Sequence, residues 1–279
     1  MGRRIGSVAL IFLSLLVWFP LLLLVLCSFL GEQEIIGCFG GVLLSNGNPV
    51  KFHLLPSYPT LQGYVELLLD SPGFFVMFWN SCLQVFPILA GQLFIAVPAA
   101  WAFTHFSFPG KKLLFHLYML LMILPFQVTM VSGYLVLDKL HLLDTHGAII
   151  LPGIFAAFPV FIITKTFRGI PVPLLEAAET DGAGEFRMFW HIAVPLAKPG
   201  IWSAMILSFL EYWNTIEQPM TFLKTKSKWP LSLYLPNITA EKVGVSFCAS
   251  IIMMLPAVLL FLWGQSYLEQ GIAASGLKE

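Results

Sequence analysis

The chain has 279 residues, of which 58% are hydrophobic and 11% charged, and its mean hydropathy is +0.83. Soluble domains carry about 25% charged residues, so this composition excludes an ordinary soluble protein and indicates a membrane protein. Lys+Arg and Asp+Glu balance at 15 each, which gives no reason to expect nucleic acid as a partner. The four cysteines form no CxxC pair and are interpreted as small hydrophobic residues, without a metal site or a disulfide framework.

Six long apolar runs predict six membrane-spanning helices. The first, residues 8–30, exceeds the roughly 7–15 apolar residues of a cleaved signal, so we expect it to remain as a span. The segment that follows is dense in glycine and proline, and it is predicted to be a loop or a small irregular element outside the membrane. The other five runs cover residues 74–103, 113–137, 147–167, 201–222 and 245–268.

A hydrophilic stretch at 176–195, EAAETDGAGEFRMFWHIAVP, separates the fourth run from the fifth. Pro173 suits the first residue of a helix, and Gly182 suits a left-handed cap at its end. A second short helix, about 185–192, would end before Pro195. Two helices hinged at a glycine predict a plug that inserts into a groove on a partner. The second helix would present three aromatic side chains, Phe186, Phe189 and Trp190.

The spacing within this stretch resembles the EAA loop of ABC importer permeases. Glu176-Ala177-Ala178 is followed after three residues by Gly182 and after nine more by Ile192, and then by Val194-Pro195, where the family usually has leucine in place of Val194. The resemblance extends over essentially the whole chain and is to the carbohydrate-importer branch. It is carried elsewhere by Asn80-Ser81, Phe108-Pro109-Gly110-Lys111, Asp144-Thr145, Trp213-Asn214 and Ser275-Gly276-Leu277-Lys278.

The resemblance implies an all-α integral membrane protein with six transmembrane helices and the type I importer permease (MetI-like) fold. Residues 1–73 would hold the first helix and an outer loop, and 74–268 the core permease domain. A cytoplasmic coupling loop at 168–199 would lie within that domain, with a cytoplasmic tail at 269–279. The residues implied to dock the ATPase are Glu176, Ala177, Ala178, Asp181, Gly182, Ile192 and Pro195.

The function that the resemblance implies is ATP-driven import of a sugar or oligosaccharide, or of a glycerol-phosphate-like solute, and the chain itself would not be an enzyme. Its partners would be a second permease subunit, an ABC ATPase dimer, an extracellular substrate-binding protein and membrane lipid. The sequence contains no G-x-x-x-x-G-K-[ST] motif, so this chain is expected to bind no cofactor. ATP and Mg²⁺ would be used by the partner ATPase.

Polar residues inside the apolar runs suggest a substrate path. Glu211, Asn214, Thr215 and Gln218 recur at helical spacing in the fifth run. Carboxylate and amide groups beside an aromatic ring suit the hydroxyls and the C–H face of a sugar. The alternative is that such side chains join helices by hydrogen bonds, which is at least as good an interpretation for the second run. Trp213 would supply the ring, and Asn80 would extend the path.

Two other functions stay open at this stage. An ion-coupled secondary transporter would use Glu211 as its proton or sodium site, and a membrane scaffold would carry no substrate. Orientation rests on the even number of spans and on the resemblance, which place both termini in the cytoplasm. Nine of the fifteen Lys and Arg residues then fall on the cytoplasmic side, although the lysines at 224–228 fall outside. This arrangement predicts a multi-pass inner-membrane protein with the 176–195 loop in the cytoplasm.

Overall fold

The computed structural model describes residues 2–43, 56–235 and 242–276, and every regular element within these ranges is helical. The predicted all-α fold class is confirmed. A π-helical turn, Phe189–Ala193, lies within the helical series, and two 3₁₀ turns follow it at Lys226–Lys228 and Leu231–Leu233. The α-helices in chain order are α1 (Gly2–Cys27), α2 (Glu32–Leu43), α3 (Gln62–Leu69), α4 (Pro72–His105), α5 (Lys111–Ile123), α6 (Phe126–Lys139), α7 (Gly147–Ile154), α8 (Ala157–Arg168), α9 (Val172–Thr180), α10 (Glu185–Met188), α11 (Val194–Asn214), α12 (Glu217–Phe222) and α13 (Val243–Gly276).

Five helical segments of the described chain are long and apolar enough to cross a membrane. The pair α5 and α6 makes a sixth if it is counted as one span. The direction of the chain bends by 105° between these two helices. The third predicted span, 113–137, therefore consists of two helices with a break between them. Leu124 (φ −66°, ψ 121°) is extended because proline disfavours helical backbone at the residue before it. Pro125 itself is extended as well (φ −67°, ψ 150°). The five segments are Leu10–Cys27, Pro72–His105, Gly147–Arg168, Glu185–Asn214 and Val243–Gly271.

The first compact unit comprises Met1–Val76 and Leu233–Pro256. The segment predicted to be an irregular loop contains α2 and α3, so that prediction is wrong for the residues the structure describes; residues 44–55 lie outside them. Its helices are stabilised by packing: Ile35 on α2 is buried with Cys27 and packs against Phe247 of α13. Tertiary burial of an apolar face outweighs the low helix propensity of the glycines in α2.

The second unit comprises Met77–Ser232 and Ala257–Glu279. At its centre α8 packs along α11 so closely that a Cβ added to Gly200 would collide with the side chain of Thr166. Similarly, a Cβ on Gly153 would meet Ile88 at 2.9 Å. Small residues at these crossings let helix backbones approach, as is usual in membrane proteins. The buried cluster around α8 and α11 continues to the end of α4 and supports the hydrophilic loop.

The fourth predicted span, 147–167, agrees with the candidate span Gly147–Arg168, although the helical backbone breaks at Phe155 and Ala156 between α7 and α8. One span prediction needs correction. The fifth, 201–222, is a helix only as far as Asn214, and α12 is a separate short helix. The predicted tail at 269–279 continues α13 as far as Gly276. Near the break between α7 and α8 the carbonyl of Gly153 accepts a hydrogen bond from the amide of Gln92 on α4 at 2.8 Å, and after α11 the carbonyl of Thr215 accepts one from the hydroxyl of Ser232. Such partners allow breaks within a membrane protein.

Candidate functional site

The hydrophilic loop begins with helix α9 and a glycine turn. Pro173 is the second residue of α9 and not the first, since Val172 precedes it. The helix ends as predicted: Gly182 has a φ of +82°, and the N–H of Ala183 donates to the carbonyl of Ala178 at 2.9 Å. This left-handed turn reverses the chain and directs it into α10. The positive φ is a conformation that favours glycine over residues with a Cβ.

The second half of the loop differs from the prediction at Pro195. The helix that begins at Glu185 does not stop there but widens into the π turn and continues as α11. Val194 donates its N–H to the carbonyl of Phe189, five residues back. Proline has no N–H and its ring collides with the carbonyl four residues earlier in a regular α-helix. The wider turn directly before Pro195 changes that spacing, which accounts for the continuous helix.

The loop is joined to the end of α4 by a side-chain contact and by stacked rings. His105, the last residue of α4, lies 3.0 Å from the Oε2 atom of Glu185, the first residue of α10. Its imidazole also stacks on Trp101, with 4.5 Å between ring centroids and 11° between ring planes. Trp101 in turn contacts Phe167 and Phe189 edge-on or tilted. These contacts join the loop to the end of α4, although no spacing in the sequence relates the residues involved.

The outer surface of the loop is apolar and exposed. Phe186 is 77% exposed and Trp190 is 47% exposed, and the two rings lie edge to face at 6.2 Å. Leu174 on α9 is also exposed. The third aromatic residue predicted for this surface, Phe189, is buried instead. An aromatic pair exposed on a hydrophilic loop is typical of a surface that a partner covers.

A cavity of about 330 Å³ separates α9 from the end of α4. Glu176 and Glu179 line one side, and Trp101 and Phe167 form the apolar wall. Arg168 lines the same cavity and places a cation near the two carboxylates. Helix α9 is thus not packed flat on the domain, and a gap lies beneath it.

The structure divides the seven predicted docking residues into two groups. Ile192 is half-buried and packs against the core cluster, so its contacts lie within the chain. Pro195 is exposed in the first turn of α11. The other five lie together on α9 and its cap: Glu176, Ala177, Ala178, Asp181 and Gly182.

The predicted substrate stripe is not a single helical face. Because α11 ends at Asn214, Gln218 belongs to α12 and does not continue the row of Glu211 and Asn214. Glu211 lies in the last turn of α11. Both Glu211 and Asn214 are exposed, and the amide of Asn214 donates to the carbonyl of Leu210 at 2.8 Å.

Trp213 and Asn80 make contacts within the chain. The Trp213 side chain is only 4% exposed and stacks on Phe209, with 5.3 Å between ring centroids. The amide of Asn80 donates to the carbonyls of Ser227 at 2.7 Å and Trp229 at 3.0 Å. Neither side chain presents a free surface for a sugar in this structure. Asn80 anchors a loop, where the alternative interpretation expected a bond between helices.

A polar cluster that sequence reasoning did not find fixes the loop after α12. Asp144 has a φ of +57° and accepts hydrogen bonds from Thr225 and from the N–H of Lys224. The bonds from Thr225, followed by those from Lys228 and Lys224, hold the pKa of the Asp144 carboxyl well below its usual range. His146 lies 3.1 Å from the amide nitrogen of Gln84, and its pKa is lowered by burial and by the charge of Lys228.

Comparison with known proteins gives one family. The family described as "Binding-protein-dependent transport system inner membrane component" matches residues 92–274, which include the hydrophilic loop at 176–195. The arabinooligosaccharide transport system permease protein AraQ of Halalkalibacterium halodurans is 28% identical over 270 residues, 96% of this chain and 93% of the relative. A protein of Pyrococcus horikoshii named as a probable ABC transporter permease is 34% identical and covers 84% of this chain and 89% of its own length.

Two further comparisons widen the range of substrates and establish the fold. The sn-glycerol-3-phosphate transport system permease protein UgpE of Yersinia pestis is 28% identical over 74% of this chain and 75% of its own length. A bacterial ABC transporter that imports the acidic polysaccharide alginate contains a chain with the same fold. It superposes with a TM-score of 0.78, at 22% identity, over 95% of this chain and 96% of its own.

Proposed function

The chain belongs to the family of binding-protein-dependent transport system inner membrane components, and from this we propose that it is one permease subunit of an ATP-driven carbohydrate importer. A second permease subunit, an ABC ATPase dimer and an extracellular substrate-binding protein would complete the assembly. ATP and Mg²⁺ would be bound by the ATPase and not by this chain. Closure of the ATPase would push the docking loop and rock the two permeases between inward- and outward-facing states.

The observation that carries the proposal is the exposed apolar surface of the docking loop. Phe186 and Trp190 project from a base that the His105–Glu185 pair fixes to α4. These contacts with α4 would let the loop transmit force, and the exposed aromatic pair would supply the contact with the ATPase. Since ATP is in the cytoplasm, this loop would face the cytoplasm, and both termini would lie on the same side after six crossings.

The substrate class follows from the relatives and from two exposed groups. Relatives are named for arabinooligosaccharides and for glycerol 3-phosphate. Glu211 and Asn214 are three residues apart on α11, share one face and are both exposed. A carboxylate accepts hydrogen bonds from hydroxyls but repels a phosphate, which favours a carbohydrate over a phosphate ester as the solute.

The ion-coupled transporter has less support. Its proposed ion site, Glu211, is exposed in the last turn of α11. An importer of this family would retain uptake when an uncoupler is added and ATP is held constant. Uptake that follows the proton or sodium gradient instead would favour the ion-coupled transporter.

Docking is tested by a charge placed on the aromatic surface. The full chain is co-expressed with its ATPase, second permease and binding protein, and each Phe186 variant is compared with wild type for ATPase copurification and sugar uptake. Phe186→Glu is expected to lose both while the chain stays in the membrane. Leu140→Glu, an equally large change at another exposed loop residue, serves as the control. Normal copurification of Phe186→Glu would show that the ATPase binds elsewhere.

A further inference from the structure

A second cavity, of about 600 Å³, lies between the beginning of α5 and the end of α8. It is distinct from the cavity beneath α9, and the docking and transport proposals do not use it. The cavity is lined by side chains from the first turns of α5 and the last turns of α8. Those helices belong to two of the candidate membrane spans.

The charged groups around this cavity are all basic. Lys112 on α5 and Lys165 and Arg168 on α8 are exposed and line it, together with His116. No carboxylate is among its lining residues in the part of the chain that the structure describes. Lys111 also lines it but donates to the carbonyl of Phe106 at 2.6 Å, so its ammonium is partly used within the chain. The site therefore has an excess of positive charge and suits an anion.

Aromatic rings form the floor of the cavity and hold two of the cations. Phe115 and Phe161 are stacked with 6.2 Å between ring centroids. The guanidinium of Arg168 lies 4.7 Å from the Phe115 centroid, and the ammonium of Lys165 lies 5.6 Å from the Phe161 centroid. Cation–π contacts position these groups and leave their N–H donors available to an anion. Arg168 can in addition present two parallel N–H donors to a phosphate.

The cavity also has an apolar part. Phe115 and Met119 of α5 and Phe161 of α8 line it beside the basic side chains. Lys111 is the first residue of α5 and Arg168 the last residue of α8, so the cations lie at one end of these helices and the apolar residues lie further along them. Basic residues at a helix end with apolar lining residues beyond them match the headgroup and the acyl chains of a lipid.

We infer that this cavity binds an anionic phospholipid, with the phosphate held by Lys112, Lys165 and Arg168. A diacyl lipid fits better than a free phosphate because apolar side chains, Phe115, Met119 and Phe161, line the cavity beside the cations. Arg168 lines the cavity beneath α9 as well, so an occupied lipid site would adjoin the base of the docking loop. The inference concerns lipid binding and does not depend on the identity of the transported solute.

The test compares two triple variants of the full chain. The first is Lys112→Gln, Lys165→Gln and Arg168→Gln. The control is Lys139→Gln, Lys224→Gln and Lys226→Gln, which removes the same charge from exposed lysines elsewhere. Each purified protein is delipidated in a zwitterionic detergent and titrated with phosphatidylglycerol, phosphatidylcholine or inorganic phosphate, and bound lipid is counted by native mass spectrometry.

We expect wild type and the control to bind phosphatidylglycerol in preference to phosphatidylcholine. The cavity variant should lose roughly fivefold in affinity per cation removed, and roughly a hundredfold in all. Equal binding of phosphatidylglycerol by all three proteins would overturn the inference. Inorganic phosphate that competes with the lipid at equal concentration would identify a free-phosphate site instead. The cavity variant is also co-expressed with the ATPase. If that variant loses ATPase copurification while its lipid binding is unchanged, the cavity is a contact with another protein and the inference is wrong.

Discussion

The carboxylate of Asp144 accepts a 2.6 Å hydrogen bond from the hydroxyl of Thr225, although the two residues are 81 positions apart. The N–H of Thr225 donates to the same carboxylate at 2.9 Å, and the ammonium of Lys228 lies 3.2 Å from it. One side chain in the turn before α7 thus holds the loop that follows α12. Every donor around Asp144 favours its ionised form.

The first prediction concerns acid stability. Because the folded state lowers the pKa of Asp144, its stabilising contribution is complete above the ordinary Asp pKa of about 3.9 and is lost as pH falls toward the lowered value. Thermal unfolding of the purified chain should show Tm falling with pH below about 4. Asp144→Asn should have a lower Tm at pH 7 and a smaller fall on acidification. An acid fall in Asp144→Asn as large as in wild type would show that other carboxyls cause it.

The second prediction concerns the cap of α9. Gly182 has a φ of +82°, whereas Gly184, two residues later, has a φ of −70° with nothing within 4 Å of an added Cβ. Gly182→Ala should cost about 1–2 kcal/mol, because a Cβ is disfavoured in left-handed backbone. We expect lower ATPase copurification and uptake for Gly182→Ala and no change for the matched variant Gly184→Ala. Equal effects of the two would remove the left-handed turn from the docking mechanism.

The third prediction concerns the contact of α8 with α11. A Cβ on Gly200 would overlap the Thr166 hydroxyl, so Gly200→Ala should destabilise the chain by about 1–3 kcal/mol. Adding Thr166→Ala removes the atom in closest contact and should restore part of that loss. Gly73→Ala, with open space around the new methyl, is the control. The measurement is thermal unfolding in detergent, and additive effects of the two changes would contradict the contact.

The fourth prediction concerns the exposed end of α11. Glu211→Gln should retain assembly and weaken sugar uptake, since an amide still bonds hydroxyls but carries no charge. Glu211→Leu should block uptake while basal ATPase activity of the assembled complex changes less, because the docking loop is untouched. Asp138→Asn, at another exposed carboxylate, controls for loss of charge. Normal uptake by Glu211→Leu at matched membrane levels would place the substrate path elsewhere.

Local signals in the sequence determined the class of protein and the first half of the docking loop. An apolar composition leaves a 279-residue chain no stable state in water, so membrane insertion follows from residue chemistry alone. Helix α9 was predictable because its start and its end depend on the residues at those positions. Pro173 has a preset φ, and Gly182 has no Cβ to obstruct the left-handed turn.

Only the tertiary structure decided where the long helices break and which distant residues meet. The helix continues through Pro195, whereas Pro125 separates two helices. A proline leaves backbone carbonyls without their helical partner, and whether the helix continues depends on whether neighbouring turns and helices satisfy those carbonyls. Trp213 has a ring that could stack on a sugar, but packing against Phe209 buries this ring. The bond from Thr225 to Asp144 has no periodic signature, since it joins loops whose approach is set by the packing of the helices between them.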